Sequence, residues 1–346
     1  YGGSLYAPWH TGTPDLIDAA WRWDAGWYAG IARDGYVWNA TGESNTVFFP
    51  LFPLLLRLVS LPFEDGAIFW AGVLLNHVLF FGALVAVRLY VARLAAPDIA
   101  RRTVVLLAAF PAALFFNAAY SESLFLLLTA VTFVLLQRGH FVGAAIVGAL
   151  AGLTRPTGLL LAIPYLIAVR YARAETRRER VRQVVPVLLI PAGTALYAGF
   201  LWWRFGDPFL FMSGQSAWAH TWMLPPVALV EALAQIARGD ATPIAELMNA
   251  VNTGAAVLAI ILGIALARVD RAAAAYTLLG VLLPLSVPIA GAPTISMARY
   301  VAVLFPMFIP LACWSRHRWV MPALVGVAVP LQILLAALFT RWYWII

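Results

Sequence analysis

The run Ala67–Ala92, AIFWAGVLLNHVLFFGALVAVRLYVA, carries one formal charge, Arg88, over 26 residues. A helix rises 1.5 Å per residue, so about 20 apolar residues cross the hydrocarbon core of a bilayer. This run is long enough to do so, and it predicts a membrane-spanning helix. Working outward, similar apolar stretches follow at about 103–119, 121–138, 140–154, 157–171, 183–203, 248–268, 272–290, 299–314 and 319–340. The expectation is an all-α polytopic membrane protein with about ten transmembrane helices. Composition agrees: of 346 residues 63% are hydrophobic and 11% charged, against about 25% charged in soluble domains. The piece at 48–59 is short and marked by Pro50 and Pro53, so it reads as re-entrant or interfacial. Two regions result: a first polar loop with interfacial helices at 1–66, and a transmembrane bundle at 67–346 that carries a second polar loop at about 204–247.

All 23 basic residues are arginine. Sorted by loop, 15 fall on one side of the predicted spans and 8 on the other, and 12 of the 16 acids fall with the 8. The side richer in arginine is cytoplasmic by the positive-inside rule, so both long polar loops face the exoplasmic side. This topology accounts for the net charge of +7 without nucleic acid. The one cysteine, Cys313, cannot form an internal disulfide. Tyr1 is not an initiator methionine, so a processed or shortened form, with a helix upstream of the first loop, is the expectation. There is no GxxxxGK[ST] motif, and no GxGxxG after a strand. An energy-rich donor must therefore reach the outer face without a nucleotide-binding domain, which suits a lipid-linked donor.

Trp23-Asp24-Ala25-Gly26-Trp27-Tyr28 places a carboxylate among aromatic rings in the first loop. An ionised Asp24 suits general-base chemistry on a sugar hydroxyl, and Trp23, Trp27, Tyr28, Tyr36 and Trp38 offer faces for stacking. The alternative is a helix cap within an aromatic belt at the membrane interface. Asp34 is a second acid, in a setting typical of a turn before Gly35. Glu122, in Tyr120-Ser121-Glu122-Ser123, lies at the outer end of two spans; it reads either as a pocket residue beside Tyr120 or as an acid at a helix N-terminus capped by Ser121. Arg155, in Thr154-Arg155-Pro156, and Arg299, in Ala298-Arg299-Tyr300, lie on the arginine-poor side. Together they suit a lipid phosphate; pairing with Glu122 is the other reading. Gln215 and Trp218 suit an acceptor pocket, and Arg22 and His77 are secondary candidates. The five histidines show no metal spacing, so no metal or other cofactor is required, although a divalent cation on carboxylates stays open.

Several of these stretches, in order, resemble the PIG-V family within the GT-C class of lipid-phosphate-sugar glycosyltransferases. They are Arg22-Trp23-Asp24-Ala25-Gly26-Trp27-Tyr28, Phe48-Phe49-Pro50-Leu51-Phe52-Pro53, Tyr120-Ser121-Glu122-Ser123, Gly152-Leu153-Thr154-Arg155-Pro156-Thr157-Gly158 and Ser296-Met297-Ala298-Arg299-Tyr300. The resemblance implies a GT-C-like helical bundle and a polyprenyl- or dolichyl-phosphate-mannose donor. It also implies an exoplasmic site in the cytoplasmic membrane, inversion at the anomeric carbon, and Asp24 as the base. The acceptor is expected to be a glycolipid or glycan. A transferase of another lipid-phosphate sugar, and a lipid-linked-sugar transporter or flippase, remain alternative readings.

Overall fold

The computed structural model describes residues 10–39, 44–63, 67–214 and 220–345; Gln215 and Trp218 lie outside them. Its helices, in order, are α1 Asp15–Asp18, α2 Ala25–Asp34, α3 Leu51–Ser60, α4 Ala67–Val91, α5 Pro97–Ala108, α6 Glu122–Gln137, α7 Phe141–Gly152 and α8 Ala162–Tyr171. They continue as α9 Arg177–Val184, α10 Leu189–Phe205, α11 Leu210–Ser213, α12 Pro225–Arg238, α13 Pro243–Leu266, α14 Arg271–Leu285, α15 Met297–Ala302, α16 Phe308–Trp314 and α17 Val320–Thr340. Beyond short 3-10 turns, the described residues add only isolated β-bridges of Ile289 with His220 and Ala292.

The expectation of about ten transmembrane helices is met in part. Among the described residues four helical runs are long and apolar enough to cross a membrane: α4, the run Arg177–Phe205 that joins α9 to α10, α13, and α17. The other apolar helices are shorter, and proline accounts for two of the breaks. The stretch 103–119 stops at Ala108 and resumes as a 3-10 turn, Pro111–Phe116. The stretch 299–314 is divided at the turn Phe305–Met307, which contains Pro306. A proline ring clashes with the preceding turn and removes a backbone donor, so a straight helix ends there. Elsewhere polar caps mark the helix starts: Asp270 accepts from the Ala273 amide at 2.9 Å and opens α14, and Thr176 caps α9. The helices pack around one large apolar cluster and two small ones: α4 lies against α5 and α6, α7 between α6 and α10, α14 against α8 and α13, and α17 on the Pro111–Phe116 turn. The chain is an integral membrane protein.

The first loop is built into this core. Trp21 is fully buried, its ring meets Phe69 edge-on at 5.1 Å, and its indole N–H donates to the Phe69 carbonyl at 3.0 Å. Gly72 makes room for it, because a Cβ there would stand 2.4 Å from the Trp21 ring. Arg22 pairs with Asp18 at 2.8 Å, and its Nε donates to the Thr340 carbonyl at 3.0 Å. The Arg22 guanidinium also lies 5.0 Å from the Trp342 ring. Trp23 meets Trp342 and Trp344 edge-on at 5.5 and 4.7 Å. The loop is thereby clamped between α4 and the residues that follow α17.

Candidate active site

Four charged side chains from distant segments meet at one end of the bundle. Asp24 precedes α2 but makes no capping bond; its Oδ2 instead accepts from Arg299 Nη1 at 2.6 Å. Glu122 starts α6. Its Oε1 accepts from Arg155 Nη1 at 2.8 Å and from Arg299 Nε. The order is Asp24–Arg299–Glu122–Arg155, and the formal charge sums to zero.

Local structure aims each member. Trp23 adopts φ 53°, in the left-handed region, which bulky residues rarely occupy. The Asp24 amide donates to the Tyr120 hydroxyl at 3.2 Å, and that hydroxyl donates to the Arg22 carbonyl at 3.1 Å. The Tyr28 hydroxyl donates to Ser121 Oγ at 2.9 Å, so the Ser121 side chain serves Tyr28 rather than capping α6. Burial, and then the nearby Glu122 carboxylate, push the Tyr28 phenol up; it stays protonated at neutral pH and does not compete as a base. Arg155 sits in extended backbone before the 3-10 turn Pro156–Leu161. Gly158 closes that turn: a Cβ there would lie 2.4 Å from the Gly152 nitrogen. Ser296, at φ 62°, precedes α15 and turns the chain toward Arg299. Strained residues of this kind cluster at functional sites. The Arg299 guanidinium lies 4.6 Å from the Tyr120 ring, and that of Arg155 5.7 Å from the Tyr300 ring, which holds both in cation–π contact.

Asp24, Arg155 and Arg299 share the wall of a cavity of about 380 Å³ with Tyr28. Phe48, Leu283, Ile289 and Trp344 form apolar walls. A carboxylate and two guanidiniums, groups able to take a proton and to pair with an anion, thus face one space large enough for a small ligand.

A family model described as mannosyltransferase (PIG-V) matches residues 13–203, more than half of the chain. The chain belongs to the PIG-V mannosyltransferase family. Asp24, Glu122 and Arg155 lie inside the matched residues, and Arg299 lies beyond them. Proteins called GPI alpha-1,6-mannosyltransferase 2 from Rattus norvegicus and Mus musculus are each 35% identical over 156 residues, 42% of this chain and 30% of the relative. The same-named protein of Cricetulus griseus is similar to the same extent. The matched stretch therefore spans less than a third of those relatives' length. No solved structure matches the chain.

Of the residues singled out in this PIG-V family member, Asp24, Tyr28, Arg155 and Arg299 line the cavity. The other described candidates stand elsewhere. Glu122 and Tyr120 are fully buried behind it. Trp23 packs on the C-terminal tryptophans, and Trp27 stacks on Phe48 at 5.9 Å. Arg22 is consumed by Asp18 and Thr340. His77 bonds the Val73 carbonyl at 2.7 Å on an exposed face of α4, and Asp34 is exposed at the end of α2. Sequence reasoning did not pick out His220, Phe48 and Trp344 as cavity residues. They come from separate segments, and no local spacing joins them. Trp344, an aromatic beyond the last apolar span, was the available signal.

Proposed function

We propose that this protein transfers mannose from a polyprenyl-phosphate-mannose donor to a glycolipid or glycan acceptor on the exoplasmic face of the membrane, with inversion. The observation that carries the reading is the convergence of Asp24, Arg155 and Arg299 on one cavity, in a member of a mannosyltransferase family. The activity by which the relatives are named, GPI alpha-1,6-mannosyltransferase 2, favours mannose as the sugar. The short apolar helices and broken runs complete a GT-C-like bundle of about ten crossings around the site.

In this mechanism Asp24 takes the proton from an acceptor hydroxyl as that oxygen attacks the anomeric carbon. The bond from that carbon to the phosphate oxygen breaks, and its electron pair leaves with the polyprenyl phosphate. Arg155 and Arg299 meet the developing charge. Arg299 occupies Asp24 Oδ2 at rest; a carboxylate keeps further lone pairs for the hydroxyl, and a phosphate on Arg299 releases the rest. The leaving group is already an ester anion, so no general acid is needed. The test is transfer of labelled mannose from synthetic polyprenyl-phosphate-mannose to a panel of glycolipids. Wild type is expected to form product and Asp24→Asn to lose it by at least about a hundredfold. Near-normal transfer by Asp24→Asn removes Asp24 as the base.

A further inference from the structure

We propose that Glu122 is a positioning residue whose single oxygen Oε1 holds Arg155 and Arg299 together, so that they meet a phosphate as a preformed pair. The proposal rests on the reading of the cavity as a lipid-phosphate site. Both arginines line the cavity, whereas Glu122 does not; it is fully buried behind them. The two guanidiniums arrive from the Arg155–Pro156 turn and from α15, distant in the chain, and converge on the same atom. Two cations bonded to one oxygen repel each other, and the carboxylate between them offsets the repulsion. Aromatic faces set their planes: Phe115 and Tyr120 for Arg299, at 5.4 and 4.6 Å, and Phe125 and Tyr300 for Arg155, at 5.9 and 5.7 Å.

Two further observations separate this role from simple packing. Glu122 Oε2 is buried and has no hydrogen-bond partner among the described residues. A buried unsatisfied oxygen is costly, and packing alone offers no return for it. The charge balance is the second. The four groups sum to zero charge, and without Glu122 the two arginines would face Asp24 as their one nearby carboxylate in the chain Asp24–Arg299–Glu122–Arg155. Glu122 therefore shares Arg299 with Asp24 and keeps Arg155 beside it, so that both cations stand together toward a phosphate.

The test is the affinity of purified protein in detergent for a short polyprenyl phosphate, measured for wild type, Glu122→Gln, Arg155→Ala and the double variant. Arg155→Ala is expected to weaken binding about tenfold in the wild-type background and to have little effect once Glu122→Gln has released the arginine. In transfer, the loss in Glu122→Gln is expected to fall on kcat, about a hundredfold, as for a misplaced binding group, more than on the donor KM. Glu122→Asp keeps the charge on an arm one methylene shorter; it serves the same cycle if Glu122→Gln is not recovered folded. An equal effect of Arg155→Ala in both backgrounds, wild-type kcat in the Glu122 variant, or no binding by wild type overturns the proposal. Coupled binding without transfer by wild type overturns the transferase reading alone. Transfer with uncoupled arginines overturns the role of Glu122 alone.

Discussion

Asp18 and Arg22 show how much of the first loop's order depends on a few polar atoms. Both are buried, and Asp18 accepts from Arg22 Nη2 at 2.8 Å and from the Thr11 amide at 2.7 Å. Burial raises the Asp18 carboxyl, but bonds from Arg22, Thr11 and His10 outweigh it and hold the group well below the usual carboxylate range. A depressed folded value contributes stability that is complete above the unfolded value of about 3.9. That contribution is lost only as the pH falls below it. Asp18→Asn leaves Arg22 buried without its counter-charge and is expected to cost about 3–5 kcal/mol. Thermal unfolding of both proteins should show a constant gap from pH 7 to 5; a gap that closes within that interval would refute the assignment. Asp24 was picked out in the sequence by its aromatic neighbours, and Arg155 and Arg299 by the side of the predicted spans on which they fall; the structure brings all three to one cavity. Glu122 was legible in part: its place at a helix start and its pairing with Arg155 were among the readings and are what the structure has, but only tertiary packing reveals that the two arginines converge on one of its oxygens.

Two glycines govern the elements that carry the site. Gly72 on α4 faces Trp21, and Gly158 packs against the backbone at the end of α7. Gly72→Ala forces the indole to move and is expected to cost about 1–3 kcal/mol, the usual cost of overpacking, measured as a fall in unfolding temperature. Gly158→Ala meets backbone, which yields less than a side chain. It is expected to lower transfer more than Gly72→Ala, because the displaced turn carries Arg155; transfer rates at matched folded fraction decide this. Apolar length revealed where helices lie, and the first loop was recognised as structured. Helix breaks were harder to read. Apolar runs such as 103–119 and 299–314 hide their prolines, and hydropathy does not register the lost backbone donor at Pro111 or Pro306.

Across the whole molecule, the proposed orientation puts the cavity and the α12–α13 connection on the outer side, and the start of α9 on the inner side. In a Cys313→Ser background, Asp240→Cys is expected to react with a membrane-impermeant maleimide on intact cells, and Arg177→Cys only after permeabilisation; both positions are exposed. The reverse pattern would invert the topology. The clamp on the first loop also sets the order of assembly. Asp24 is made about 300 residues before the Thr340 carbonyl and the rings of Trp342 and Trp344 that brace its neighbours. The brace on Arg22 and Trp23 is therefore complete only once α17 and the tryptophans after it have been made.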